Sequence, residues 1–329
     1  MDTVSVSNSE VELVHIWNHC HNCNASPIVG RRFHCESCPD GPDTDLCEPC
    51  YEKYRQGMIR HPAEDSPAAL LNIKEHRFEI LEGKPADLYE GWLTVNHPSA
   101  PAPIIPDHFV VRPIFSAGMD SVIGGYAFLA KLEKNSKPLL ITALHVMDEI
   151  IKQKGIDCSE MNKNYTGQEL PAIITQVDMF DIFASNWMMS PFGTAGPMLV
   201  LPHARTGSEE PYSDKDIAAF QVQDVVGLDP VLLANQPPQV GAPVWQVARS
   251  SQSNNRELFK AVVVESTDRT LVFKYEDPGE HPKYTSGSPM VNKNGEVVGI
   301  TVGGGKFKDA ILGHANHVGN IRRHINDAI

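Results

Sequence analysis

A serine stands in the tight bend of "KYTSGSPMVNKNGEVVGI", residues 283–300, with Gly287 and Pro289 crowding it and a strand-turn-strand pattern behind it. A turn alone accounts for the glycine and the proline, but it does not require a hydroxyl at Ser286. Two residue types that could work with that hydroxyl occupy comparable places. His145 lies where the apolar run "LLITALHV" ends, and Asp216 precedes the apolar run "DIAAFQV". Hydroxyl, imidazole and carboxylate are the parts of a serine-nucleophile triad, which recurs on unrelated folds in different chain orders. Asp178 and Asp181, in "QVDMFDIF", compete for the place of the carboxylate.

A second constellation is metal-like. Six of the seven cysteines form the pairs Cys20-x-x-Cys23, Cys35-x-x-Cys38 and Cys47-x-x-Cys50. A two-residue spacer lets both thiolates of a pair face one ion, and tetrahedral zinc takes four ligands. Six cysteines fill one such site and half of another, so two further ligands are expected, and His61 and His76 are the candidates. The segment between 20 and 60 has only scattered large apolar residues, such as Ile28, Phe33 and Leu46. A stretch this short needs metal or disulfides to fold. Three pairs behind an N-terminus with no basic start and apolar stretch point to a reducing, cytoplasmic setting and to metal rather than disulfides.

The elements that must position these groups fall into two blocks. "NHPSAPAPIIPD", residues 96–107, places four prolines in twelve residues, which fits a semi-rigid spacer and no helix or central strand. The expected organisation is a tail over 1–14, a zinc module over 15–82, a linker over 83–107 that is proline-rich from 96, and a larger domain over 108–329. In that domain short β-rich runs such as "FVVRPIF", "PLLITAL", "PVWQVAR", "LFKAVVVES" and "GEVVGITV" are separated by Gly, Pro, Asn and Asp. Helices are expected only at 145–154 and in the tail "HVGNIRRHINDA". Many strands and few helices indicate a mainly β, barrel-type domain rather than a parallel α/β sheet. The net charge of -13 disfavours nucleic acid as a partner, and no apolar run approaches the ~20 residues of a membrane span.

"HCHNCNASPIVGRRFHCESCPDGPDTDLCEPCYEKY" resembles a ZZ-type zinc finger, in its pair spacing, in "PIVGRRFHC" and in "DLCEPCY". That resemblance implies two interleaved structural zinc ions, one held by Cys20, Cys23, Cys47 and Cys50, the other by Cys35, Cys38, His61 and His76. The family's two histidines usually lie close together, whereas fourteen residues separate them here, which reads as an insertion. ZZ modules bind proteins, and some bind the N-terminal residues of peptides through acidic side chains; Asp43 and Asp45 are the expected receptors of the amino group.

"GGYAFLAKL" with "ITALHV", then "DKDIAAFQV", then "TSGSPMVNKNGEVVGI" resemble the histidine, aspartate and serine motifs of trypsin-like serine proteases. The order His145, Asp216, Ser286 is that of the chymotrypsin double barrel, whereas α/β-hydrolases run Ser, Asp, His. "DIAAF" matches the aspartate motif better than the surroundings of Asp178 or Asp181. By this resemblance Ser286 attacks a peptide carbonyl, His145 is the general base, Asp216 orients the imidazole, and the backbone N–H groups of Tyr284 and Ser286 form the oxyanion hole. The family has glycine where this chain has Tyr284. A side chain there is expected to impose another backbone conformation and a resting state that needs activation. The leading expectation is therefore a cytoplasmic serine endopeptidase with protein or peptide substrates, recruited by the zinc module. The alternative is a catalytically silent scaffold whose zinc module acts as the adaptor. A zinc hydrolase is disfavoured, because closed cysteine-rich sites leave no open ligand position.

Overall fold

The computed structural model describes residues 11–35, 37, 45–61, 76–148, 150, 170–181, 191–204, 213–249, 256–279 and 284–329. Two compact units are formed. The first takes the described residues through Thr94 together with Gly305–Phe307; the second takes Val95–Gly304 with Lys308–Ile329.

The first unit contains β1 (Leu13–His15), β2 (Ile28–Val29), β3 (Arg31–Cys35), β4 (Asp45–Cys47), α1 (Glu48–Arg55), β5 (Phe78–Glu82), β6 (Lys84–Pro85) and α2 (Ala86–Leu93). They make two three-stranded sheets, β2-β1-β6 and β4-β3-β5. Three of the six fully packed core residues around α1 are cysteines, Cys20, Cys47 and Cys50, beside Ile28, Phe33 and Leu46. An apolar core this small cannot by itself offset the ordering entropy of the segment. The stretch from 83, assigned to the linker from sequence, carries β6, which pairs with β1, and α2, which buries Tyr89 and Trp92 three positions apart on one face. The proline-rich part beyond it has no helix or strand from 95 to 109.

The second unit begins with β7 (Val110–Ala117), β8 (Asp120–Ile123), β9 (Ala127–Lys131), β10 (Leu139–Thr142), α3 (Leu170–Ile173), β11 (Gln176–Asp181), β12 (Gly193–Met198), β13 (Ala218–Val225) and β14 (Val231–Leu232). Six of these strands close a barrel in the order β7-β9-β10-β13-β12-β11, with β8 and β14 at its margins. A second closed barrel follows from β15 (Pro243–Arg249), β16 (Arg256–Ser266), β17 (Leu271–Tyr275), β18 (Pro289–Val291), β19 (Val297–Phe307) and β20 (Ala310–His317), in the order β15-β16-β17-β20-β19-β18. The mainly β architecture with two barrels and a terminal helix agrees with the sequence expectation. Closure pairs each of the six strands of the second barrel on both sides, which removes an open edge there.

Two local readings change. The helix expected from 145 begins one residue earlier as a 3-10 turn over Leu144–Met147, with Asp148 and Ile150 helical after it; 149 and 151–154 lie outside the described residues. β11, which carries Asp178 and Asp181, was not foreseen, because two acidic residues in six obscure its alternation.

The C-terminal helix α4 (Val318–Asn326) buries Val318, Ile321 and Ile325, the i, i+3, i+7 face of an amphipathic helix. Arg322 projects from it onto the carbonyls of Leu132, Leu233 and Ala234 and onto Asn235 Oδ1, at 2.7–2.9 Å. Arg322→Ala leaves these part-buried acceptors without their donor, at a cost of about 3 kcal/mol on the scale of hydrogen bonds to charged groups. A drop of roughly 6–10 °C in thermal midpoint is expected; an unchanged midpoint would show that the clamp is dispensable.

Candidate active site and metal centres

The antiparallel register of β10 and β13 explains how residues 71 positions apart meet. Thr142 at the end of β10 lies opposite Ala218 at the start of β13. Three residues after Thr142 comes His145, and two residues before Ala218 comes Asp216, so both leave the same end of the strand pair. Asp216 is fully buried and spends both oxygens on His145: Oδ1 accepts from the backbone N–H at 3.0 Å, and Oδ2 pairs with Nδ1 at 2.6 Å. A carboxylate at Nδ1 fixes that nitrogen as the protonated one and leaves Nε2 as the free base of a neutral ring. The His145 side chain keeps 21% of its surface exposed, so the ring is accessible from one side. Burial pulls its pKa down, but the charge of Asp216, the hydrogen bond to it and the charge of Asp148 outweigh burial and raise it to about 9. Of the three competing carboxylates, Asp216 is the one paired with His145; Asp178 accepts from Gln176 on β11.

Ser286 is set by the turn that leads into β18. Gly287 has φ +86° and donates its N–H to the Thr301 carbonyl at 2.8 Å. A Cβ at Gly287 would stand 2.0 Å from the Tyr126 carbonyl oxygen, so no other residue fits. The Ser286 carbonyl accepts from the Tyr126 N–H at 2.8 Å, and the Ser286 hydroxyl donates to the Val302 carbonyl at 3.2 Å. Gly125 lies in the same crevice: a Cβ there would meet the Ser286 carbonyl at 2.4 Å and Val146, the neighbour of His145, at 3.2 Å. Through Gly125 and Tyr126 the serine turn is held against the segment that bears the histidine.

Tyr284 takes φ +57°, the left-handed region that glycine adopts freely and that costs another residue roughly 1 kcal/mol or more. Among the described residues, the backbone N–H groups of Tyr284 and Ser286 have no hydrogen-bond acceptor. Sequence reading missed Gln246, whose side chain lies beneath this turn, and Tyr126 and Thr142, which brace it: Thr142 Oγ1 donates to the Tyr126 carbonyl at 2.6 Å.

In the first unit the thiols of Cys20, Cys23, Cys47 and Cys50 lie within 4.8 Å of one another, and so do the ligand atoms of Cys35, His61 and His76. Two thiolates on one tetrahedral zinc stand about 3.8 Å apart, and the sulfurs of Cys23 and Cys47 are 3.8 Å apart. A thiolate and an imidazole nitrogen sharing such an ion stand about 3.6 Å apart, and Cys35 Sγ lies 3.5 Å from His76 Nδ1. The donor sets therefore fit zinc. His61 and His76, far apart in sequence, stack with ring centroids 3.8 Å apart. Cys38 and Asp43 lie outside the described residues. Asp45, the other expected receptor of a peptide amino group, is buried. Its side chain is 1% exposed and is taken by His34 Nδ1 at 2.9 Å, Asn18 Nδ2 at 3.4 Å and Arg32 Nε at 3.5 Å. It fastens β3 and the first cysteine loop to β4.

Among curated proteins, the chain is similar to the auxin transport protein BIG of Oryza sativa subsp. japonica, at 38% identity over 60 residues, which is 18% of this chain and 1% of that relative's length. Among solved structures, it is similar to the active form of the Rv3671c protease from M. tuberculosis (16% identity, TM-score 0.40, 71% of this chain and 94% of that one). It is also similar to the serine endoprotease from Yersinia pestis (14% identity, TM-score 0.42, 73% of this chain and 66% of that one). Residues 15–58 match the model of the ZZ-type zinc finger. Residues 125–300, more than half of the chain and including His145, Asp216 and Ser286, match the model of the trypsin-like peptidase domain, and to that family the chain belongs.

Proposed function

We propose that this chain is a serine endopeptidase that hydrolyses peptide bonds with Ser286 as nucleophile, His145 as general base and Asp216 as the residue that orients and charges the imidazole. The observation that carries the reading is the double engagement of Asp216 by the backbone and ring of His145 beside a serine turn locked to Tyr126. In the reaction His145 Nε2 takes the hydroxyl proton as Ser286 attacks the carbonyl carbon. The developing oxyanion takes hydrogen bonds from the N–H groups of Tyr284 and Ser286, and the imidazolium then returns its proton to the leaving amine. Two structural zinc ions hold the N-terminal module, the second bound by Cys35, Cys38, His61 and His76. The module recruits protein substrates or partners in a cytoplasmic setting.

A fluorophosphonate probe tests the chemistry, because it reacts with an activated serine only. Wild type is expected to be labelled and Ser286→Ala is not; an unlabelled wild type would favour the silent scaffold, with Tyr284 as its mark. The pH profile carries a sign. The base acts only when neutral, so with its pKa raised to about 9 the labelling rate should climb with pH and level off above about 9. Asp216→Asn removes the charge that holds the proton on His145, so the residual labelling should titrate at lower pH. A profile that falls between pH 7 and 9 would remove His145 as the base.

A further inference from the structure

Gln246 breaks the apolar alternation of β15 in "PVWQVAR", yet it is fully buried. Its amide nitrogen lies 2.9 Å from Thr285 Oγ1, 2.6 Å from Ser288 Oγ and 3.1 Å from Thr301 Oγ1. Its amide oxygen accepts from the Tyr275 hydroxyl. Burial pushes the Tyr275 phenol up, so it stays a neutral donor. An amide has two N–H bonds, so three hydroxyls share them. One side chain thus ties β15 to β17, to β19 and to both flanks of the nucleophile, since Thr285 precedes Ser286 and Ser288 follows it by two. Such a network costs stability unless every member is paired, and when paired it fixes one geometry.

The turn it supports needs holding. Tyr284 is in the left-handed region, and the residue is 94% exposed, so its own packing does not keep it there. A strained conformation persists only where its surroundings over-determine it. The side chain next in sequence, Thr285, is anchored by Gln246.

We infer that Gln246 is the positioning residue of the nucleophile turn: by gripping Thr285 and Ser288 from inside the barrel it holds Tyr284 in its strained conformation and keeps the N–H groups of Tyr284 and Ser286 free for an oxyanion. The inference rests on the protease reading for its catalytic consequence, but not for its structural one.

Gln246→Met keeps the volume and removes every polar contact. In the full chain it is expected to lower the fluorophosphonate labelling rate and kcat at least ~tenfold, or about 1.4 kcal/mol, with KM little changed. Adding Tyr284→Gly, which removes the cost of the left-handed conformation, should restore much of that loss. A merely structural role for Gln246 predicts no such rescue. Tyr275→Phe, which deletes one hydroxyl and keeps the ring, should show the same pattern more weakly and takes the place of Gln246→Met if that variant does not fold.

Labelling of Gln246→Met at the wild-type rate, or a Tyr284→Gly effect of equal size in both backgrounds, overturns the inference. If wild type itself is not labelled, the protease reading fails and thermal midpoints decide the inference alone. Tyr284→Gly should then shift the midpoint more favourably in wild type than in Gln246→Met, because only the intact network enforces the strain. Equal shifts in the two backgrounds overturn it.

Discussion

Ser286→Ala and His145→Ala are each expected to lower the kcat/KM for amide hydrolysis about 10⁶-fold, and Asp216→Ala about 10⁴-fold. The two larger losses follow from removing the nucleophile or the group that takes its proton. The smaller one follows from geometry: without Asp216 the ring keeps its place after β10, but neither its tautomer nor its charge is supported. The three act as a unit, so Ser286→Ala combined with His145→Ala should be no worse than either alone. Asp178→Ala and Asp181→Ala serve as controls, because both lie on β11, two strands from β13 in the barrel. Each should stay within severalfold of wild type. If Ser286→Ala retained hydrolysis, the proposed chemistry would be wrong at its root. If Asp181→Ala lost it while Asp216→Ala did not, the wrong carboxylate would have been paired with the histidine.

The parts of this site that sequence exposes are those whose signal is local. Gly287 and Pro289 around Ser286, an apolar run ending at His145 and another beginning after Asp216 each mark a strand end or a turn. The order of the three then selects a double barrel. Asp216 was preferred to Asp178 on its local motif "DIAAF", but how it meets His145 lies in the register between β10 and β13, a non-local quantity that spacing along the chain does not contain. Gln246 was illegible for a related reason. A lone glutamine in an apolar strand looks like an outward position, and only closure of the barrel places it under Ser288 and Tyr275. At Asp45 the sequence showed an acidic residue beside a metal cysteine but not its surroundings: Arg32, His34 and Asn18 converge on it from β3 and the first loop. The histidine pair shows what chemistry alone can carry. The requirement for two more ligands joined His61 to His76 across fourteen residues that hold no other histidine or cysteine, and the rings stack side by side.

Removal of zinc is expected to unfold the N-terminal module. Purified without chelator, the chain should carry two zinc ions, and a strong chelator should strip both while peptides from β1 to β5 lose their amide-exchange protection. The size of the effect follows from what remains when the metal leaves. Cys20, Cys47 and Cys50 supply half of the core cluster around α1, beside Ile28, Phe33 and Leu46. Stripped of metal, four clustered thiols and the Cys35, His61 and His76 set become polar groups packed together with no ion to bind them. Structural zinc contributes on the order of 10 kcal/mol or more to domains of this kind, which exceeds what so small an apolar core can supply. Peptides from β15 to β20 provide the internal reference, since their barrel is closed by backbone pairing and holds no cysteine. Cys20→Ser and Cys35→Ser divide the prediction by site: each should cost one zinc ion and expose the peptides around its own cluster. A stoichiometry of one in wild type, unchanged by Cys35→Ser, would leave the four-cysteine site standing and remove the second ion. Protection that survived complete removal of zinc would mean that the sheets β2-β1-β6 and β4-β3-β5 hold the module without metal.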